Sequence, residues 1–353
     1  MTKQLLFLIT LLSFLACDKG NTSTGNDHKS IVDPEPYAYQ QWYLYKTGNF
    51  FDEHEIDKNA HIHTKNFLDT YTGKGVKVAV IDDGLDVDHE DLKNAVISSY
   101  DITTKTSDVS YTDPRAYHGT AVTGIIAARV NDKGIKGVAS DVEIIFLKYK
   151  EEMSDSETIE LFNKAANFGA DIINCSWGTY DVSESVKEKI IDLANTGRDA
   201  KGIIIVFASG NDAREMGNDE SAISEVIAVG STDKENLRAW YSNYGTNLDI
   251  VAPGGNFDTG IATLDPMGSD GMASLDEDYL LFDDFNTLVG TSASAPIVSG
   301  VIALMLEKNP DLTREEVENI LKAHSDKIGH LPYENNRNDY YGYGKINVTE
   351  ILK

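Results

Sequence analysis

The chain has 353 residues, and its 31 Lys plus Arg against 57 Asp plus Glu give a formal net charge of −26. Hydrophobic residues make up 41% and aromatics 9%, a composition that supports a packed globule and excludes a disordered chain. So acidic a surface repels phosphate backbones, so no nucleic-acid partner is expected, while calcium and basic peptide segments are favoured ligands.

Residues 1–16 read MTKQLLFLITLLSFLA, with Lys3 ahead of an apolar run over 5–12. The run is too short to span a bilayer and reads as a secretory signal peptide. Phe14-Leu15-Ala16-Cys17 resembles a bacterial lipobox, although Phe14 and Leu15 depart from its usual residues. Cys17 is therefore the expected lipidation site, and its lipid the expected link to the cell envelope; soluble secretion after cleavage near Ala16 is the alternative. Residues 18–32 are polar and rich in Gly, Ser, Thr and Asn, as a flexible tether requires. Cys175 is the other cysteine, so with Cys17 lipidated no disulfide forms. The expected organisation is a signal peptide at 1–16, a lipidated cysteine and tether at 17–32, and one domain at 33–353. No later stretch is long and apolar enough for a membrane-spanning helix.

In chain order, the domain reads as follows. A strand is predicted at 76–81, a small-residue helix at 119–129 and a strand at 142–147. Next come a helix at 157–168, with Ile159, Leu161, Phe162, Ala165 and Ala166 on one face, and a strand at 171–175. A helix at 183–194 carrying Val186, Ile190, Ile191 and Leu193 precedes strands at 202–208 and 225–229. A long apolar helix at 292–306 and a helix at 312–323, capped by Thr313 with Glu315 and Glu316 in its first turn, complete the set. The strands are continuous apolar, β-branched runs, the pattern of parallel strands buried on both faces. Alternation with helices predicts a three-layer α/β domain, a mostly parallel sheet with helices on both faces.

Three motifs occur in order: Val80-Ile81-Asp82-Asp83-Gly84, His118-Gly119-Thr120 and Gly290-Thr291-Ser292-Ala293-Ser294-Ala295-Pro296. Taken singly, each has a plain structural explanation as a turn or a helix start. Taken together they place a carboxylate at the end of a buried strand, an imidazole at a helix start and a hydroxyl at a helix N-terminus. Strand ends are where α/β folds put their chemistry. Pro296 in the first helical turn costs little, because early N–H groups lack intrahelical partners.

HGTAVTGIIAA from His118, FASGN from Phe207 to Asn211, GTSASAP from Gly290 and YGYGKINV from Tyr341 are similar to the ordered motifs of the subtilisin-like serine proteases, the subtilase family. The doubled Asp82-Asp83, Gln41-Trp42-Tyr43-Leu44 and Ser176-Trp177-Gly178 resemble its kexin and furin branch. The chain departs from that branch in having no accessory β-domain after the motifs and only a short stretch where the usual pro-domain would lie.

The resemblance implies an endopeptidase. Ser292 is its nucleophile, His118 the general base, Asp82 the orienting acid and Asn211 an oxyanion donor. It implies peptide or protein substrates laid along Ser176, Trp177 and Gly178, with a pocket between them and Ala208, Ser209 and Gly210. Asp181 falls where the furin branch has a pocket carboxylate that reads Arg or Lys, with Asp219 a looser partner, so a basic preference is expected. Asp83 is expected as a subsite carboxylate or turn residue, and Asp276, Glu277, Asp278 and Asp283 as a solvated loop. The implied cofactor is a structural calcium ion held by Asp91 and Asn131, with Asp33 as a further ligand. His61 and His63 lack the further ligands that a zinc site needs. Cys175 is expected as inert packing. A monomer is the default. The alternative is a catalytically silent, protease-like binding lipoprotein, against which the intact Asp82, His118, Asn211 and Ser292 argue.

Overall fold

β-Branched apolar runs build the centre of the molecule. In the computed structural model, which describes residues 34–273, 277–282 and 287–353, strands β1 (Lys77–Asp82), β2 (Val96–Asp101), β3 (Glu143–Lys148), β4 (Ile172–Cys175), β5 (Ile204–Ala208), β6 (Ile227–Thr232) and β7 (Ile250–Pro253) form one sheet. Its order is β2-β3-β1-β4-β5-β6-β7 and every pairing is parallel. A two-stranded antiparallel ribbon, β8 (Thr263–Leu264) with β9 (Tyr279–Leu280), stands apart from it.

The helices are α1 (Phe50–Glu53), α2 (His118–Ala127), α3 (Asp155–Asn167), α4 (Glu184–Ala200), α5 (Thr291–Lys308), α6 (Arg314–Ala323) and α7 (Val348–Ile351). Helices α3 and α6 start in reciprocal capping boxes, Ser154 with Glu157 and Thr313 with Glu316, which satisfy N–H groups that have no intrahelical partner. In α4, Gly197, Arg198 and Asp199 leave helical conformations, the last two at φ +52°, so the regular helix ends before them.

The sheet separates two apolar cores. On one face α2 and α5 pack against Val78, Val80, Val206 and Val229; on the other α3 and α4 cover Ala79, Ile81, Ile173 and Phe207. This is the expected three-layer α/β architecture. Helix α5 is buried almost throughout, as its apolar sequence demands. Strands β2 and β7 lack a long apolar run. β2 is an edge strand with a register shift between Val96 and Ser98, and β7 is short and ends in Pro253. Their place in the sheet comes from their neighbours. No described helix is long and apolar enough to cross a membrane. Cys17 and Asp33 lie outside the described residues, as do Asp276 and Asp283 of the acidic loop.

Candidate active site

The chemistry-bearing residues lie at the ends of the parallel strands, in two groups. Asp82 is the last residue of β1; its side chain is fully buried, and Oδ1 lies 2.7 Å from Nδ1 of His118, the first residue of α2. Asp83 N donates to the same Asp82 oxygen at 2.9 Å, and Asp83 Oδ1 accepts from Gly119 N at 2.9 Å. The second aspartate thus ties the helix start to the strand end. Gly119 permits this approach, because a Cβ there would lie 2.2 Å from Gly84 O.

Charge follows from that packing. Burial alone would lower the His118 imidazole, but the Asp82 charge and hydrogen bond, helped by Asp83, outweigh it and raise the group to about 9. Burial, then the neighbouring Asp82 charge, pushes Asp83 up to about 6. Asp83 also borders a second depression of about 510 Å³ with Asp101, Asp113, Lys148 and Glu151. Cys175 is fully buried, and burial pushes its thiol well up, as expected of packing rather than reactivity.

Ser292 is the second residue of α5. Its Oγ donates to Ser176 O at 2.9 Å, and Ser176 Oγ donates back to Ser292 O at 2.9 Å. This reciprocal pair fastens the N-terminus of α5 to the end of β4, with the Ser292 hydroxyl turned toward Ser176 rather than His118. Asn174 Nδ2 supports Ser176 Oγ at 3.0 Å, and Ser299 Oγ holds Asn174 Oδ1 at 2.8 Å. Asn211, just beyond β5, accepts at Oδ1 from both N and Oγ1 of Thr291, each at 2.9 Å. Fixing the oxygen that way leaves the Nδ2 hydrogens without a protein acceptor among the described residues. Gly290, at φ +141°, makes room: a Cβ there would stand 3.2 Å from Asn211 Nδ2.

The loops after the adjacent strands β4 and β5 frame a cleft of about 260 Å³. It is lined by residues 176–180 and 208–212 together with Arg214, Asp219, Asn243, Thr291 and Ser292. Ser176, Trp177, Gly178, Ser209 and Gly210 therefore share one cleft with Ser292 and Asn211. Trp177 is anchored by Nε1 donating to Ile81 O at 2.8 Å.

Asp181 does not join them. It is exposed, its Oδ1 accepts from Asn218 Nδ2 at 2.7 Å, and it does not line the cleft. The chain turns at Thr179 and Tyr180, whose side chains take the lining positions. The expectation that Asp181 is the pocket carboxylate is corrected on that ground. Asp219 does line the cleft and is buried, with Oδ1 accepting from N and Oγ of Ser221. In the acidic loop, Asp278 Oδ1 accepts from Gly268 N at 2.8 Å and serves the loop's own backbone.

Glu220, absent from the sequence expectations, braces one edge of the cleft. It is only 2% exposed, and its carboxylate accepts from Thr179 N at 2.8 Å and Thr179 Oγ1 at 2.9 Å, holding the cleft edge. No local signal marks it, because the contact spans the two loops.

Asp91 and Asn131, the expected calcium ligands, lie in hydrogen-bond contact. Asp91 is fully buried and its Oδ1 accepts from Asn131 Nδ2 at 3.0 Å. Burial pushes the Asp91 carboxyl up to about 7, and Asn131 Oδ1 is a buried acceptor with no hydrogen-bond partner. A buried carboxylate beside an orphaned amide oxygen fits a hard cation. Glu35 fixes the surrounding loop by accepting from N of Asn131, Asp132 and Lys133. Among the described residues no three His, Cys, Asp or Glu side chains gather as a metal site, and Asp33, the further expected ligand, lies outside them. His61 Nδ1 accepts from His63 N at 3.0 Å and the ring also bonds the Lys58 backbone, which engages His61 without a metal.

The model of the subtilase family matches residues 73–344, well over half of the chain. The chain belongs to the subtilase family. Among curated relatives of this subtilase, a calcium-dependent protease of Trichormus variabilis is 31% identical over 84% of the chain. A dibasic-processing endoprotease of Yarrowia lipolytica is 29% identical over 93% of it. The subtilase chain spans about half the length of such relatives or less, 48% of the first and 34% of the second. Among solved structures, a protease from Pseudoalteromonas arctica superposes with a TM-score of 0.74 at 26% identity, covering 91% of this chain and 98% of the other.

Proposed function

We propose that this subtilase is a serine endopeptidase that cleaves peptide bonds through an acyl-enzyme on Ser292. The observation that carries the reading is the 2.7 Å contact of buried Asp82 with His118 at the strand ends, beside the cleft that Ser292 and Asn211 line. In the proposed reaction Ser292 Oγ turns from Ser176 to His118 Nε2 and attacks the scissile carbonyl carbon while His118 takes its proton. The tetrahedral oxyanion receives hydrogen bonds from Asn211 Nδ2 and Ser292 N. The C–N bond then breaks, His118 gives its proton to the leaving amine, and the acyl group remains on Ser292. Water repeats the sequence: His118 removes its proton, the hydroxide oxygen adds to the ester, and Ser292 leaves with the proton. Asp82 keeps Nδ1 protonated throughout and stabilises the imidazolium.

The substrate is an extended peptide or protein segment added as a strand along Ser176–Gly178. The buried Asp219, rather than Asp181, supports a preference for a basic residue before the cleaved bond. Asp91 and Asn131 would hold a calcium ion, which supplies no chemistry to the reaction and braces their loops. Export as a monomer anchored through lipidated Cys17 is the accompanying cellular reading, supported by the lipobox-like FLAC alone.

A diverse peptide library digested by wild type and by Ser292→Ala tests the activity. Cuts by wild type alone are expected, with a loss of about 10⁶-fold in kcat for the variant. Equal cutting by both would remove Ser292 from the mechanism.

A further inference from the structure

Arg214 lines the cleft and has no part in the reaction above. Three of the lining residues carry charge: Asp212, Arg214 and Asp219. In a chain of net charge −26, a guanidinium in the substrate cleft stands against its surroundings.

Its placement is built into the backbone. Asp212 N and Arg214 N both donate to Asn243 Oδ1, at 3.0 and 3.2 Å, and Tyr244 N donates to Arg214 O at 3.1 Å. Ala213 between them sits at φ +55°, a left-handed conformation that alanine seldom adopts, and donates its N–H to Tyr241 O at 2.7 Å. The side chain then crosses the cleft. Its Cζ lies 5.0 Å from the centre of the Tyr180 ring on the opposing loop, and Nε is 3.3 Å from Asp212 Oδ2. Among the described residues, no acceptor meets either terminal nitrogen.

An aromatic face with two carboxylates in one cleft is a receptor for a cation. We propose that Arg214 fills this receptor in the free enzyme, as a built-in competitor for a basic substrate side chain. A Lys or Arg entering the pocket must displace the guanidinium from Tyr180 and Asp212. Arg214 therefore opposes the basic preference that Asp212 and Asp219 alone would confer, and the inference rests on the peptidase reading for its substrate.

The test compares kcat/KM for matched peptides with Lys or Leu before the cleaved bond, using wild type, Arg214→Gln and Arg214→Lys. Removing the competitor should raise the Lys-to-Leu ratio about tenfold in Arg214→Gln, the scale of one exposed cation–π contact plus one exposed ion pair. Arg214→Lys, which keeps the charge, should stay close to the wild-type ratio. A parallel titration calorimetry arm in the Ser292→Ala background measures binding of product peptides ending in Lys or Leu. The same relative gain for Lys is expected there. A ratio that is unchanged or lower in Arg214→Gln in both arms overturns the inference. A wild type that binds but cuts no peptide sinks the peptidase reading instead, and the binding arm still decides the role of Arg214.

Discussion

Asn211 and Thr291 are joined twice through one atom: Asn211 Oδ1 accepts from the backbone N and the Oγ1 of Thr291, both at 2.9 Å. The residue before the candidate nucleophile thus fixes the orientation of the candidate oxyanion donor. Thr291 Oγ1 in turn accepts from Gly210 N at 3.2 Å, so the hydroxyl also positions the loop that carries Asn211. Asn211→Ala is expected to lower kcat by about 10²–10³-fold with little change in KM, the scale of losing one oxyanion donor. Thr291→Val, which keeps the backbone bond but removes the hydroxyl, should cost less, roughly tenfold, in the same assay. A loss from Asn211→Ala no greater than about tenfold in kcat would remove Asn211 as an oxyanion donor.

In the proposed reaction the acid pair at the end of β1 sets the pH profile. His118 must be neutral to accept a proton, and Asp82 and Asp83 hold it protonated above its ordinary range. Activity is therefore expected to rise with pH, with a midpoint above about 6.5, the ordinary histidine value. Asp83→Asn removes one of the charges that favour the imidazolium, so its kcat/KM profile should move to lower pH. A shift to higher pH would contradict this electrostatic account.

Glu220 supports the cleft edge without reaching the reacting atoms. Glu220→Ala leaves Thr179 N without its buried partner. Its expected signature is a KM raised by about tenfold or more, since two hydrogen bonds to a charged group are lost, with kcat nearly retained. Steady-state kinetics on one long peptide separates the two parameters. A fall in kcat at constant KM would place Glu220 nearer the chemistry.

Calcium should act on stability. Chelation is expected to lower the Tm by about 3–5 °C, the shift that a ligand saturating at 100 Kd gives a domain of this size. Asn131→Ala, which removes the orphaned amide oxygen, should lower the Tm in calcium buffer and lose most of the response to chelator. Thermal scans with and without calcium check both, and a full chelator response in the variant would move the site elsewhere.

Much of this molecule is legible along the chain. The VKVAVI run ending at Asp82, the small-residue helix after His118 and the apolar helix after Ser292 announce strands and helices through local periodicity. Local patterning also marks Thr313 as a cap, because a side-chain oxygen three residues before a glutamate satisfies orphan N–H groups. Strands β2 and β7 escape such reading. Their pairing is decided by β3 and β6 at the sheet's two ends, not by their own sequences. Asp181 misled for a related reason. Its match to the furin branch's pocket carboxylate suggested a pocket acid, yet a loop side chain points where its turn sends it, here toward Asn218.

The sequence by itself determined the alternation of strand and helix, the identity of Asp82, His118, Asn211 and Ser292 as the candidate reactive set, and a net charge of −26. The alternation and the charge depend on periodicity and composition, which are local or additive; the reactive set came from the resemblance of its motifs to the subtilase family. Only the tertiary structure decided that Glu220 grips Thr179, that Thr291 orients Asn211, that Asp219 and not Asp181 lines the cleft, and that Arg214 lies across it against Tyr180. Each of these joins loops that follow different strands. Their geometry is set by how parallel strands stack side by side, which no single stretch of the chain encodes.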